Sequence, residues 1–402
     1  MRTALVIGGG LTGPVTALAL RKAGFEATVY EAYRGTADGI GGQLTIAPNG
    51  LDALAAIGAA QAVEGLGVAM RHTVMANGRG KRLVEFDGLP DLPPSRAMWR
   101  SELYRALHDH ATREGIKIEH GKRLVSVEET ATAITARFAD GSSATGDVLI
   151  GADGINSTVR KLIDPNAPEP SHVPLLNFGA AADIAVRAKP DATYFVFGKR
   201  AFLGYWSQAD GRTSWFGNLP HQERMTAAEA REVPAQHWLQ QLREVYADDA
   251  PGRELLEHTR PDQLFAFGSM EILPTVPHWH RGRMVLVGDS AHAPSSSSGQ
   301  GASLAAESAV QLARCVRDLP DVETAFATYE DLRRPRVEKI AARAAKTNNT
   351  KGFGPVATAV MGVLMPLAMK TFLTPEKMLG VDVRHHINWD EPVGRAPAAP
   401  RR

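Results

Sequence analysis

The chain has 402 residues, and its 45 Lys and Arg stand against 44 Asp and Glu, giving a formal net charge of +1. This length predicts about two or three domains, and the charge balance excludes the overall electrostatic signature of a nucleic-acid-binding protein. A single cysteine, Cys315, excludes an intrachain disulfide and a cysteine-based zinc or iron–sulfur site. We therefore expect a globular cytoplasmic protein without a metal.

The N-terminus has the order strand, glycine turn, helix, strand. Residues 4–7 are apolar, residues 8–13 have the sequence GGGLTG, helical spacing runs over 11–23, and 27–31 is again strand-like. Gly8, Gly10 and Gly13 let backbone N–H groups approach a pyrophosphate, and Glu31 follows where a carboxylate accepts hydrogen bonds from ribose hydroxyls. The unit predicts a site for FAD or NAD; a glycine turn without a ligand is the alternative.

A second motif lies at residues 151–160, with the sequence GADGINSTVR. An apolar strand runs into Asp153 and Gly154, and a helix then begins with Ser157 near its cap and Arg160 in its first turns. A surface turn has the same pattern, so spacing alone leaves both interpretations open.

Aromatic strands follow a proline-rich stretch at 165–174. Residues 176–186, 194–197, 202–207 and 213–218 alternate in the manner of strands, which predicts an antiparallel sheet inserted into an α/β domain. Alternation turns about half of the side chains toward the nucleotide site, and packing in the core is the alternative for each aromatic residue. The candidates for contact with a substrate are Arg200, Trp206 and Trp215.

A third motif begins where the chain returns to a buried strand at 284–287 and ends in a long helix that contains Glu307. An aspartate at the end of a strand can bind the hydroxyl groups of a polyol. The N-terminus of a helix that follows a glycine loop can stabilise a developing negative charge. For His292 a structural role is the alternative to a functional one. The candidate residues are Gly288, Asp289, Pro294, Gly299, Gly301 and Ala302.

Together the three motifs resemble the class A FAD-dependent monooxygenases, the single-component aromatic hydroxylases with a para-hydroxybenzoate hydroxylase-like fold. The resemblance spans roughly residues 3–340 and includes an Arg-x-x-Leu-x-x-x-Leu helix that begins at Arg100. It implies that Gly8, Gly10, Gly13 and Glu31 hold the ADP half of FAD. The implied roles of the other motif residues are Arg100 near the phosphates, Asp153 and Arg160 toward FAD and the nicotinamide, Asp289 at the ribityl chain and Pro294 beside the flavin.

The resemblance also implies a fold and a reaction. The fold is a Rossmann-like α/β FAD-binding domain (1–171 and 273–350) with an inserted antiparallel β-sheet substrate domain (172–272) and a C-terminal helical segment (351–402). NADH or NADPH reduces FAD, the reduced flavin captures O2 as a C4a-hydroperoxide, and one oxygen atom passes to an aromatic or polycyclic molecule. The alternatives are epoxidation, Baeyer–Villiger insertion, flavin-dependent reduction, and flavin binding without turnover. The protein is expected to be a monomer or a homodimer.

Two departures from the family pattern lie near the third motif. Four serines, Ser295 to Ser298, replace bulkier residues before Gly299, and Ser308 replaces an acidic residue after Glu307. Further on, residues 352–369 carry no charge, but Pro355 and Pro366 argue against a spanning helix. We expect a buried C-terminal helix there, with an interfacial helix as the alternative, and a frayed tail over 391–402.

Overall fold

The computed structural model describes residues 1–36, 41–350 and 374–394, except for the side chains of 346–350 and 378. The helix expected over the apolar segment 352–369 and, from residue 395 onward, the expected frayed tail lie outside the described residues. In the described part of the chain, no helix is long and apolar enough to cross a membrane.

The elements are numbered in chain order. The strands β1 to β19 are Arg2–Ile7, Phe25–Glu31, Gln43–Ile46, Val68–Met70, His72–Asn77, Arg82–Asp87, Ser95–Trp99, Lys117–His120, Leu124–Glu129, Ile134–Phe138, Ser143–Gly146, Val148–Gly151, Ser171–Ala182, Ala192–Phe197, Phe202–Ser207, Thr213–Pro220, Phe265–Ile272, His280–Arg281 and Met284–Leu286. The helices α1 to α11 are Thr12–Lys22, Pro48–Ala56, Ala60–Glu64, Arg100–Arg113, Thr158–Ile163, Ala227–Glu232, Ala235–Val245, Ala250–Glu257, Gly301–Asp318, Val322–Thr350 and Val381–Val383.

A six-stranded sheet in the order β18-β19-β12-β1-β2-β8 forms the nucleotide-binding half of the molecule. Strand β1 pairs in parallel with β2 and β12, and β12 pairs in parallel with β19. The central strands are apolar runs because both of their faces are buried: helix α1 packs on one face, and the three-stranded sheet β11-β10-β9 packs on the other. This arrangement confirms the predicted Rossmann-like α/β fold.

A seven-stranded, mostly antiparallel sheet in the order β17-β13-β16-β15-β14-β5-β6 forms the other half. Most of its strands come from residues 171–272, but β5 and β6 come from residues 72–87. The predicted boundary of the inserted domain, 172–272, omits these two strands. Strand β5 joins the sheet by pairing in parallel with β14, a pairing between distant segments that local spacing does not reveal.

The two faces of this sheet have different neighbours. On one face Leu203, Tyr205 and Trp215 pack against the helices α7 and α8 in a second hydrophobic core. On the other face the side chains of Phe202, Trp206 and Phe216, which lie at alternate positions of β15 and β16, line a large cleft. Period-two alternation therefore decides which aromatic residues face the helices and which face the cleft.

Candidate active site

The three sequence motifs meet at the carboxyl ends of adjacent parallel strands. Strand β1 runs into Gly8, β12 runs into Asp153, and β19 runs into Gly288. In open α/β sheets ligands bind in the crevice at this edge. All three motifs line one cleft of about 1340 Å³, which continues to the cleft face of the seven-stranded sheet.

The glycine turn between β1 and α1 needs its glycines. Gly8 has a φ of +104°, and a Cβ there would lie 2.5 Å from the carbonyl oxygen of Ala152. A Cβ on Gly13 would lie only 1.9 Å from the carbonyl oxygen of Gly8. A Cβ on Gly10 would meet only Arg100 Nη2, at 3.6 Å, so the space above Gly10 is open to the cleft. The turn therefore packs helix against strand while it leaves room for a phosphate.

Glu31 lies at the end of β2, directly beside the glycine turn. Its Oε2 accepts a hydrogen bond from the Gly9 N–H at 2.6 Å, and its Oε1 accepts one from the Tyr33 N–H at 2.9 Å. These two bonds fix a half-buried carboxylate at the edge of the cleft. The placement suits acceptance of hydrogen bonds from a ribose, as the spacing predicts.

The turn after β19 carries an aspartate into the cleft. Gly288 has a φ of +69°, and a Cβ there would lie 2.7 Å from Thr12 Oγ1, so glycine lets this turn pack on the start of α1. Asp289 opens onto the cleft. Desolvation by the surrounding protein raises the pKa of Asp289, and the positive charge of Arg100 opposes that rise. Asp289 and Arg100 thus place an acidic and a basic group along the same cleft, within electrostatic reach of each other.

Helix α9 points its N-terminus into the same cleft. Gly299, in a left-handed conformation with φ of +60°, ends a short 3₁₀ turn, and α9 begins at Gly301 with no side-chain cap on its first turn. Pro294, Gly301 and Ala302 line the cleft together with Ser295 to Ser298. The uncapped N–H groups give this end a partial positive charge that favours an anionic ligand group.

The second motif divides between a cleft residue and a buried one. Asp153 lines the cleft and accepts hydrogen bonds from Ser157 Oγ at 2.5 Å and from the Thr158 N–H at 2.7 Å, and Ser157 caps α5 as predicted. Burial raises the pKa of Asp153, and these bonds oppose the rise.

Arg160 does not line the cleft, which corrects its expected contact with the nicotinamide. Its side chain is 1% exposed and donates to the carbonyl oxygens of Ser290 at 3.1 Å and Ile155 at 2.7 Å. The first turn of α5 directs the guanidinium inward, between the second and third motifs. Arg160 therefore joins the two loops behind the wall of the cleft.

Of the three residues expected at the substrate, only Trp206 lines the cleft. Trp215 is fully buried on the helix-packed face, where its Nε1 donates to Thr259 Oγ1 at 2.9 Å. Arg200 lies in the turn between β14 and β15, is about half exposed, and pairs with Asp248 at 3.6 Å. The expected contact of Trp215 and Arg200 with a substrate is therefore wrong. Alternation along β16 turns Trp215 toward the helices and away from the cleft, and Arg200 lies at the outer end of β14 and β15.

An aromatic wall covers the cleft face of the sheet. It consists of side chains at alternate positions of β14, β15 and β16, with neighbouring ring centroids 5.6 to 6.4 Å apart. A Cβ at Gly204 would lie 2.2 Å from the Phe216 ring, so this glycine lets the ring lie across the strand. The members of the aromatic wall are Phe195, Phe197, Phe202, Trp206 and Phe216.

A buried ion network behind the cleft holds α9 in place. Glu307 is fully buried; it lies 2.7 Å from Arg333 Nη1 and 2.8 Å from Arg336 Nη2, and it accepts a hydrogen bond from Asn49 Nδ2 at 2.6 Å. Burial alone would raise the pKa of Glu307, but the two arginines lower it to about 2. His292 lies nearby and is also buried, with its Nε2 2.9 Å from Ser308 Oγ. Both residues are structural in this arrangement.

The residues present fit an FAD. The glycine turn leaves open space above Gly10, Glu31 offers a carboxylate at the ribose position, and the cleft exceeds the roughly 300 to 1,000 Å³ of ordinary small-molecule sites. Within the described ranges no group of three or more His, Cys, Asp or Glu side chains could hold a metal ion.

Comparison with known proteins gives the same picture. The family described as FAD binding domain matches residues 1–344. The FAD-dependent urate hydroxylase of Klebsiella pneumoniae is 30% identical over 352 residues, covering 85% of this chain and 88% of the relative. The 6-hydroxynicotinate 3-monooxygenase of Pseudomonas fluorescens is 28% identical over 358 residues, with coverage of 83% and 88%. The crystal structure of Klebsiella pneumoniae HpxO with FAD and uric acid matches with a TM-score of 0.78 at 26% identity, covering 90% of this chain and 92% of that one.

The fold, the site and these relatives define a class A FAD-dependent monooxygenase. The chain belongs to the FAD binding domain family, and the resemblance stated from its motifs is confirmed.

Proposed function

We propose that this monooxygenase takes its electrons from NADH or NADPH and hydroxylates a planar aromatic molecule that lies on the aromatic wall. The observation that carries the proposal is the continuity of the cleft, since the cofactor-binding glycines and the aromatic wall line the same cavity. In the overall reaction, one aromatic substrate, one O2, one NAD(P)H and one proton give one hydroxylated product, one water and one NAD(P)+. Aromatic side chains favour a planar ring through stacking and burial of apolar surface.

The chain's own residues would bind and orient the reactants. Bound FAD supplies the two-electron redox chemistry and the activation of O2. Gly8, Gly10, Gly13 and Glu31 would hold its ADP half. The remaining groups proposed for the middle part and the ring system are Arg100, Asp153, Gly288, Asp289, Pro294, Gly299, Gly301 and Ala302.

Two features would favour the reaction over loss of the activated oxygen. The partial positive charge at the N-terminus of α9 would stabilise negative charge on the reduced cofactor by on the order of 1 kcal/mol. The rings of Trp206 and Phe216 would exclude water from the substrate.

Because Cys315 is buried and is the single cysteine, we also propose a cytoplasmic location. We further propose a monomer or a homodimer as the working form.

Turnover of the FAD-loaded protein with a library of aromatic and polycyclic compounds tests this function. O2 and NAD(P)H consumption are followed with mass and NMR analysis of products, because epoxidation and Baeyer–Villiger insertion add the same mass as hydroxylation. We expect at least one aromatic compound to accelerate NAD(P)H oxidation and to gain a ring hydroxyl group. An FAD-loaded protein that no compound accelerates contradicts the proposal, and Gly10→Val, which should lack FAD, is the control.

A further inference from the structure

Two asparagines stand directly opposite each other beside the aromatic wall. Asn177 of β13 pairs in register with Asn218 of β16, and Asn218 Nδ2 donates to Asn177 Oδ1 at 2.7 Å. Both residues line the cleft, and Asn218 is only 5% exposed. No sequence motif indicated them, although Asn218 has the same strand parity as Phe216 and so shares its face.

The bond between the two carboxamides leaves the NH2 group of one and the carbonyl oxygen of the other without a partner, and the NH2 group that donates keeps a second N–H. Asn177 Nδ2 and Asn218 Oδ1 have no hydrogen-bond partner among the described residues. Exchanging O and N in both side chains reverses the bond, and again one NH2 group and one C=O are left without a partner. The pair therefore presents a donor beside an acceptor whichever way the amides are oriented.

The surroundings of the pair are aromatic and uncharged. Phe216, two residues before Asn218, lies between Trp206 and Phe202 at centroid distances of 6.3 and 6.1 Å. In strands β13 to β16, no residue that shares this face carries a charge. Once a ligand covers this face of the cleft, an amide left without a partner there is costly, so a ligand that satisfies both groups binds more tightly than one that does not.

The basic groups of the cleft lie elsewhere. Arg71 is 3.9 Å from Asp191, and His72 Nδ1 is 2.5 Å from Asp87 Oδ1, both at the far edge of the sheet. Among the described residues, the other basic side chains that line the cleft are Arg100, Lys122 and Arg123, and they belong to the nucleotide-binding half. An anionic substrate on the aromatic wall would thus lie without a cation from the strands that carry it.

We propose that Asn177 and Asn218 recognise the lactam edge, –NH–C(=O)–, of a neutral planar heteroaromatic substrate. Asn177 Nδ2 donates to the ring carbonyl, and Asn218 Oδ1 accepts from the ring N–H. Phe202, Trp206 and Phe216 of the aromatic wall cover the ring. This inference rests on the proposed function, because it names the substrate class of the same cleft. It assigns a substrate that carries no charge.

The test measures binding to the FAD-loaded protein through the change in flavin absorbance. The probes are 2-quinolone, N-methyl-2-quinolone, which lacks the N–H, and naphthalene-2-carboxylate, which is planar and anionic. We expect wild type to bind 2-quinolone at least about tenfold more tightly than either of the others. In Asn177→Ala and in Asn218→Ala the preference over the N-methyl compound should fall to about twofold or less. Asn166→Ala, an exposed asparagine outside the cleft, is the matched control and should keep the wild-type preference.

The possible outcomes separate this inference from the proposed function. Equal binding of the two quinolones by wild type, or tightest binding of the carboxylate, overturns the inference, and neither measurement needs a variant that folds. An unchanged preference in both folded alanine variants overturns the assignment to the asparagine pair. If any of these results accompanies turnover of some other aromatic compound, the proposed function stands without the inference. If no aromatic compound is turned over, the proposed function itself fails.

Discussion

The two halves of the molecule build their parts of the cleft by different means. In the nucleotide-binding half, the site depends on the backbone: Gly8 and Gly13 are required because a Cβ would lie 2.5 and 1.9 Å from neighbouring carbonyl oxygens. In the sheet half, the site depends on which face a side chain occupies, so that Trp206 lines the cleft and Trp215 lies in the core. A backbone position that requires glycine can be recognised from local sequence. Which face of a sheet packs against helices and which borders the cleft depends on segments that are distant in sequence.

The largest expected effect separates two glycines of the same turn. Gly13→Val should prevent the βαβ unit from forming, because its Cβ would overlap the Gly8 carbonyl oxygen. Gly10→Val should keep the fold, since the nearest atom is Arg100 Nη2 at 3.6 Å, and should lose FAD because the side chain fills the space above the turn. Circular dichroism and flavin absorbance measure the two outcomes. Gly65→Ala, at a position with open space around it, is the control, and an FAD-loaded Gly10→Val protein would contradict the account.

The next effect concerns the helix-packed face of the sheet. Trp215→Ala should lower the free energy of unfolding by about 3 to 5 kcal/mol, because the fully buried ring and its bond to Thr259 are lost. Trp206→Ala should cost less, because one side of Trp206 borders the open cleft. Denaturant unfolding of the two variants measures the difference. Equal losses would show that the two faces do not differ as the structure indicates.

A pH effect tests the buried polar residues behind the nucleotide site. Burial, together with the positive charge of Arg333, lowers the pKa of His292 to about 3. A histidine in the unfolded chain has a pKa of about 6.5. Below pH ~6.5 the unfolded chain gains a proton that the folded chain does not, so stability falls as pH decreases toward 3, by at most about 1.4 kcal/mol per pH unit. His292→Gln, whose Nε2 can replace the imidazole Nε2 beside Ser308, should have a shallower slope. Unfolding between pH 4 and pH 7 measures it, and identical slopes would contradict the prediction.

The smallest expected effect is at the outer end of the sheet. Arg200→Ala removes an exposed ion pair with Asp248, which should change stability by no more than about 1 kcal/mol. The ratio of product formed to NAD(P)H oxidised should not change, because Arg200 does not line the cleft. A clear loss of coupling in this variant would restore the interpretation that the sequence suggested.

These comparisons show how much of the site could be predicted from the sequence. The FAD motifs and the Rossmann-like fold are predictable, because close approach of backbone to backbone restricts Gly8 and Gly13 to glycine. The inward direction of the Arg160 side chain is not predictable, because spacing gives the position of this residue on α5 but not where its guanidinium points. Asn177 and Asn218 become neighbours only when β13 pairs with β16 across 41 residues, and no local pattern indicates that register.

The most direct test of the central claim is turnover under ¹⁸O2 with the best substrate from the aromatic library. The account predicts one ¹⁸O atom in each product molecule and the second in water. It also predicts that Trp206→Ala forms less product per NAD(P)H oxidised while its FAD content stays unchanged. Product without ¹⁸O, or full coupling in Trp206→Ala, would contradict a monooxygenase that holds its substrate against the aromatic wall.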